Sequence, residues 1–260
     1  MRIFIFLIIF VSSNIFGQTK FPATLMEMND PEYLIKHSGP WNKLENESIL
    51  LLASDKIKNE SLLQSILESQ TENISHILNI LEIQSPKKAQ KVFVWIFNDD
   101  NEKYLKTQVK SNAHCLSEYH SVYYNKSNSK GAHELGHYLT QIYWGYLKSQ
   151  KYEFLLDEGF AFLVDEGRFF NYDYYLLAKE YISDTKYLIK NINYNSPGDY
   201  KKKAFVSASF LKYLIQEFGI ESFKKLWQSI EEDDNAFEQV YGKSFLDLQN
   251  GFYNFIKQYS

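Results

Sequence analysis

One cysteine, Cys115, stands among 260 residues, so no intrachain disulfide can form and stability must come from the core and from any bound metal. Basic clusters are also missing. The 28 Lys and Arg residues gather on no obvious stripe, and against 32 acidic residues they leave a formal net charge of −4. No groove for a phosphate backbone follows from that pattern, and nucleic acid is not an expected partner. There is no internal repeat, no low-complexity tract and no glycine-serine linker, so nothing strongly divides the chain after its first residues. A length of 260 residues is enough for one substantial domain with its own core.

The apolar run at the start, Ile3 to Val11, falls well short of the ~20 apolar residues of a membrane-spanning helix. It follows Arg2 and gives way to Ser12, Ser13, Asn14 and Gly17, which is the pattern of an export signal. Residues 1–17 are therefore expected to be a signal peptide, cleaved between Gly17 and Gln18, with the product periplasmic or extracellular and without a stable membrane anchor. No cysteine follows the run, so a lipid anchor has no acceptor there.

What the chain does have is aromatic and helical. Its 20 Tyr and 20 Phe suit a stacking surface, but general composition accounts for them more simply. Between Glu45 and Ile83 apolar residues recur at helical spacing, Leu63, Ile66, Leu67, Ile74, Leu78 and Leu81 among them, which predicts a helical N-terminal portion over residues 18–85. The short β-branched and aromatic run Lys91–Phe97 predicts a buried strand, and Tyr119–Tyr124 a second. A polar stretch, Asn125–Lys130, then leads into helices expected over 132–147, 151–165, 173–191, 202–218, 220–231 and 244–258, with Gly219 and Gly242 as stops. The fold class is α+β, mostly α, with residues 86–260 as the functional domain.

The chemistry gathers at His133-Glu134-Leu135-Gly136-His137, an HExxH motif. Residues four apart on a helix share a face, so both imidazoles can reach one zinc ion, at bond lengths of about 2.0–2.1 Å. Glu134 is turned about a third of the way round the helix, where its carboxylate can take a proton from water activated by the metal. A catalytic zinc site wants a third protein ligand and one open position. Glu158, in Leu155-Leu156-Asp157-Glu158-Gly159-Phe160-Ala161, lies far enough downstream for a second, antiparallel helix to deliver it.

Together these segments resemble the gluzincin zinc peptidases, specifically the small peptidase MA-like domains related to the thermolysin and aminopeptidase families. The similarity continues at Ala208-Ser209-Phe210-Leu211-Lys212-Tyr213-Leu214, at Phe218-Gly219 and over Phe245–Phe255, covering roughly Lys91 to Gln258. It implies a thermolysin-like catalytic domain with a small sheet and a helical C-terminal lobe. It also implies one Zn2+ per chain on His133, His137 and Glu158, Glu134 as the catalytic base, and a peptide or protein as substrate.

The sequence departs from those relatives in two places. No Gly-x-Met-Glu-Asn segment, which holds a free amine in the aminopeptidases, occurs between Lys91 and Gly131, so an endopeptidase is expected. Where those relatives carry a transition-state tyrosine this chain has Ala204, with Tyr200 one turn earlier. That loss supports an alternative, a catalytically weak or inactive zinc-binding scaffold. A third reading makes Gln18–Ser85 a prosegment or inhibitor of the cleft. His114 and His120 precede the motif in or near a strand, where either could face the cleft as a donor or serve as a structural, hydrogen-bonded histidine; His37 and His76 read as surface residues, and Asp157 and Asp165 both stand where they could orient a zinc-bound imidazole.

Overall fold

The computed structural model describes residues 31, 35–36, 40–84, 91–97, 113–166 and 172–260. The expected signal segment, its cleavage point at Gly17-Gln18 and His37 lie outside the described residues. Within them the chain is α+β and mostly helical, with one five-stranded mixed sheet and eight α-helices. No helix among the described residues is long and apolar enough to cross a membrane.

In chain order the elements are β1 (Trp41–Glu45), β2 (Ile49–Ser54), α1 (Glu60–Ile80), β3 (Val92–Phe97), β4 (Ala113–Leu116), β5 (Ser121–Asn125) and α2 (His133–Trp144). A π-helical turn (Phe154–Glu158) leads into α3 (Gly159–Asp165), followed by α4 (Tyr174–Tyr181), α5 (Tyr200–Phe218), α6 (Ile220–Ser229), α7 (Asn235–Tyr241) and α8 (Phe245–Gln258). The strand order is β1-β2-β3-β5-β4. The three inner strands run parallel, and β1 and β4 lie antiparallel at the two sides.

The structure corrects the helical reading of Glu45–Ile83. Residues 49–54 form β2, and the helix starts only at Glu60, where the Asn59 side chain accepts the Leu62 N–H. Strand β2 is the run Ile-Leu-Leu-Leu-Ala-Ser, buried on both faces: Ile49, Leu51 and Ala53 join the main core, while Leu52 packs with Trp95, Phe97 and Tyr123 on the other face. A short run that is apolar at its first five positions has no period to separate strand from helix. The sheet thus takes strands from both sides of position 85, β2 pairing with β3 from Ile49↔Val92 to Ala53↔Ile96.

Other differences are local. The helix expected over 173–191 ends at Tyr181 and is followed by two 3₁₀ turns, Thr185–Tyr187 and Ile189–Asn191, because the Asp184 side chain accepts a backbone N–H that the helix would have used. The helix expected from Lys151 begins with the π turn at Phe154, and the second strand begins at Ser121, after a 3₁₀ turn at Ser117–Tyr119. Strand β4 and helix α7, of four and seven residues, are too short to show a period in the sequence.

The aromatic residues mostly fill the interior: Trp227, Phe154, Phe160, Phe210, Phe223 and Phe252 are all buried almost completely. Helix α1 packs on β1, β2 and α2. Its buried amides reach across to the chain entering α2, Gln70 donating to the carbonyls of Ser129 (2.7 Å) and Gly131 (3.1 Å) and Asn73 to that of Lys130 (3.0 Å). These bonds satisfy backbone carbonyls that packing would otherwise strand, and they set where α2 begins.

Candidate metal centre

Helix α2 starts without a side-chain cap of its own, at Ala132. The missing acceptor comes from elsewhere in the fold: Asp165, buried at the end of α3, accepts the Ala132 N–H at 2.5 Å. Gly136 lets α3 approach, since a Cβ there would stand 2.9 Å from Val164 Cγ2 and 3.2 Å from the Ala161 backbone. His133 and His137, one turn apart, bring their Nε2 atoms to 3.2 Å of each other, and the edge of Phe162 packs against His133.

Glu158 arrives on the π turn, which closes with the Gly159 N–H bonded to the Phe154 carbonyl. Such turns occur mostly as single insertions and often at functional sites. Here the wider turn lets adjacent carboxylates serve one imidazole from both sides. Asp157 Oδ1 lies 2.8 Å from His137 Nδ1, and Glu158 Oε1 lies 3.7 Å from His137 Nε2. A carboxylate only accepts, so Nδ1–H donates to Asp157, and Nε2 is left facing Glu158 and His133. Gly159 makes the position reachable, because a Cβ there would meet Ser207 Cβ at 2.9 Å and Leu211 Cδ1 at 3.1 Å on α5.

The ligand atoms of His133, His137 and Glu158 all lie within 4.8 Å of one another, a group that could hold a metal ion. Glu158 turns its other oxygen to the first histidine, with 3.5 Å between His133 Nε2 and Glu158 Oε2. Two phenols steady the carboxylate: Tyr194 donates to Oε1 at 3.1 Å and Tyr200 to Oε2 at 2.5 Å. Burial raises the Glu158 pKa, but the two histidines and the two phenols together hold it below the usual carboxylate range. Burial, reinforced by the charge of His137, pushes His133 down to about 4. Burial also acts to lower His137, but Asp157, Glu158 and Glu134 outweigh it and raise the group. Glu134 is pushed up to about 8, chiefly by burial, with Glu158, Asp165 and Asp157 adding to it against His137.

A cavity of about 610 Å³ opens over these groups. It is lined on one side by Ala113, His114 and Cys115 of β4, on the floor by His133, Glu134 and His137, and on the other side by Glu158, Tyr194 and Tyr200. The four residues expected from the sequence to act together are therefore brought to one place. Of the two aspartates left open, Asp157 orients His137 and Asp165 serves the start of α2. His114 pairs opposite Tyr123 and stacks on its ring, and it also lines the cavity; burial, with the charge of His137, pushes it down to about 4. His120 meets the Tyr138 hydroxyl at 2.8 Å, tying the β4–β5 turn to α2, and His76 is half-buried on α1. Ala204 is fully buried. Tyr194 escaped the sequence reading: it sits in a loop among 20 tyrosines, with no spacing to mark it. Comparison with protein-family models and with curated proteins finds no match for this chain.

Proposed function

We propose that the chain is a zinc-dependent peptidase of the gluzincin type with a thermolysin-like catalytic domain, in which His133, His137 and Glu158 hold the metal and Glu134 moves the proton. The observation that carries this reading is the convergence of two imidazoles and one carboxylate on one point. Ligands at about 2.0–2.1 Å in tetrahedral array stand roughly 3.3 Å apart. With one atom from each residue the donors lie within 4.8 Å of one another; the imidazole nitrogens stand 3.2 Å apart, and Glu158 approaches them through its two oxygens, Oε2 3.5 Å from His133 Nε2 and Oε1 3.7 Å from His137 Nε2. Two imidazoles and one carboxylate, with the cavity above them as a fourth side, are the donor set of a catalytic rather than a structural zinc site. Asp157 adds the outer hydrogen bond that fixes the tautomer of His137 for ligation.

Zinc held there supplies Lewis acidity, which makes water nucleophilic near neutral pH. The rest of the work belongs to side chains. Glu134, buried at the cavity floor beside the two histidines, is placed to take up a proton and return it, as a general base and then a general acid must. β4 is the outer strand of the described sheet and lines the cavity, which suits an extended peptide. With no amine-holding segment in the sequence, an internal peptide bond is the expected target. The export pattern at residues 2–17 places the activity in the periplasm or outside the cell.

The scaffold reading draws on Ala204, whose buried methyl offers no donor to a developing oxyanion. Two phenols, Tyr194 and Tyr200, nevertheless stand at the same cavity. A mixed peptide library incubated with the zinc-loaded chain separates the two readings. The peptidase reading expects cleavage, with Glu134→Gln lowering turnover at least ~10²-fold while zinc stays bound. Cleavage that survives Glu134→Gln unchanged would overturn the proton-transfer role, and no cleavage by any preparation would favour the scaffold.

A further inference from the structure

Lys203, on the first turn of α5, is 3% exposed and forms no ion pair with a carboxylate among the described residues. A buried ammonium without a counter-charge is costly unless each of its three donors finds an acceptor. Here the acceptors are the Asn193 carbonyl at 2.8 Å, the Ser196 carbonyl at 3.0 Å and Ser196 Oγ at 3.4 Å. All three belong to one tight turn, closed internally by the Asn193 N–H to Ser196 Oγ at 3.1 Å and the Ser196 hydroxyl to the Asn193 carbonyl at 2.8 Å. Tyr194 is the second residue of that turn. Its ring is 47% exposed, so little packing holds it in place apart from the Phe154 ring, whose centroid is 5.1 Å away. Lys203 Nζ lies over the same Phe154 ring, 4.9 Å from its centroid.

We propose that Lys203 is a positioning residue for the metal centre: it clamps the Asn193–Ser196 turn so that the Tyr194 hydroxyl stays on Glu158 and fixes the orientation of the third metal donor. The proposal rests on the reading of Glu158 as a metal ligand. The chain of contacts is short and continuous, from the ammonium to two carbonyls, from that turn to the Tyr194 hydroxyl, and from there to Glu158 Oε1 at 3.1 Å. Tyr200 needs no such clamp, because it starts α5 itself and is carried by the helix backbone. The two phenols on one carboxylate are thus supported differently, and only the Tyr194 side depends on a buried cation.

The test is a double-mutant cycle on zinc affinity, read by competition with a chromophoric chelator, using Lys203→Met, Tyr194→Phe and the pair. Methionine keeps an unbranched stem in the buried position and removes the three donors. Loss of a partner that orients a metal ligand typically weakens metal binding by about 10–100-fold, and each single variant is expected in that range. Because both act through one hydroxyl, the double variant is expected to be no weaker than the weaker single one. A clamp that merely stabilised the fold would lower the melting temperature of the zinc-free chain and leave zinc affinity unchanged, which would overturn the proposal. Additive losses would also overturn it. If Lys203→Met does not fold, Tyr194→Phe still decides, since unchanged zinc affinity in that variant removes the link on which the clamp depends. A wild-type chain that takes up no zinc would instead overturn the ligand reading beneath it.

Discussion

His133 and His137 come from one turn of one helix, whereas Glu158 reaches the same point on a π turn whose place is set by α2, α5 and the Asn193–Ser196 loop. The histidine pair is local chemistry: any regular helix with imidazoles four residues apart offers the same face. The glutamate is tertiary chemistry. Its position depends on a helix wider than α, on Gly159 being small enough to lie against Ser207, and on two hydroxyls donated from more than thirty residues downstream. A metal centre can therefore be half encoded by spacing and half by packing, and the two halves should fail in different ways.

Breaking the local half should have the largest effect. His137→Ala removes a donor and leaves a two-ligand site, and is expected to lose most of the about one zinc per chain while the fold survives. Metal analysis after gel filtration checks this, and stoichiometric zinc in that variant would contradict the assignment. A smaller effect is expected where the two halves meet, at Asp157. Asp157→Asn keeps the shape but weakens the hold on the His137 Nδ1–H, so zinc affinity should fall by about 10–100-fold in a chelator competition, with the unfolding midpoint of the zinc-free chain little changed.

The tertiary half is sharpened by Gly159→Ala. The added methyl meets Ser207 Cβ at 2.9 Å, and one of the two helices must shift. Forced overpacking of this kind typically costs about 1–3 kcal/mol, visible as a lower denaturant midpoint. The same variant should weaken zinc binding although no ligand has been touched. Lower stability with zinc affinity intact would show that the close contact serves the core alone.

The same division explains what could be read in advance. The His133–His137 pair, Glu134 as the proposed general base and the downstream Glu158 show in the sequence because helical spacing and order along the chain are one-dimensional properties. The π turn does not, since Phe154–Glu158 carries the same residues an α-helix would. Choosing between Asp157 and Asp165 needed the fold, as both flank the same helix and only one meets an imidazole. Tyr194 and the capping of Ala132 by Asp165 are likewise long-range. In the sheet, β3 was legible from its β-branched and aromatic run, while β2 was absorbed into a helical reading because all-apolar residues buried on both faces leave no alternation. The buried amides of Gln70 and Asn73, which tie α1 to the turn before α2, give no sequence signal beyond a polar residue on an apolar helix.

The central claim is that two carboxylates near one metal do different work, Glu158 holding it and Glu134 moving a proton beside it. Zinc content of Glu158→Gln and Glu134→Gln, prepared together with the wild type and read by native mass spectrometry, tests it most directly. The account predicts about one zinc per chain in the wild type and in Glu134→Gln, and a largely empty Glu158→Gln, because a neutral amide is a much poorer zinc ligand. Full zinc in Glu158→Gln, or its loss from Glu134→Gln in a folded chain, would contradict it.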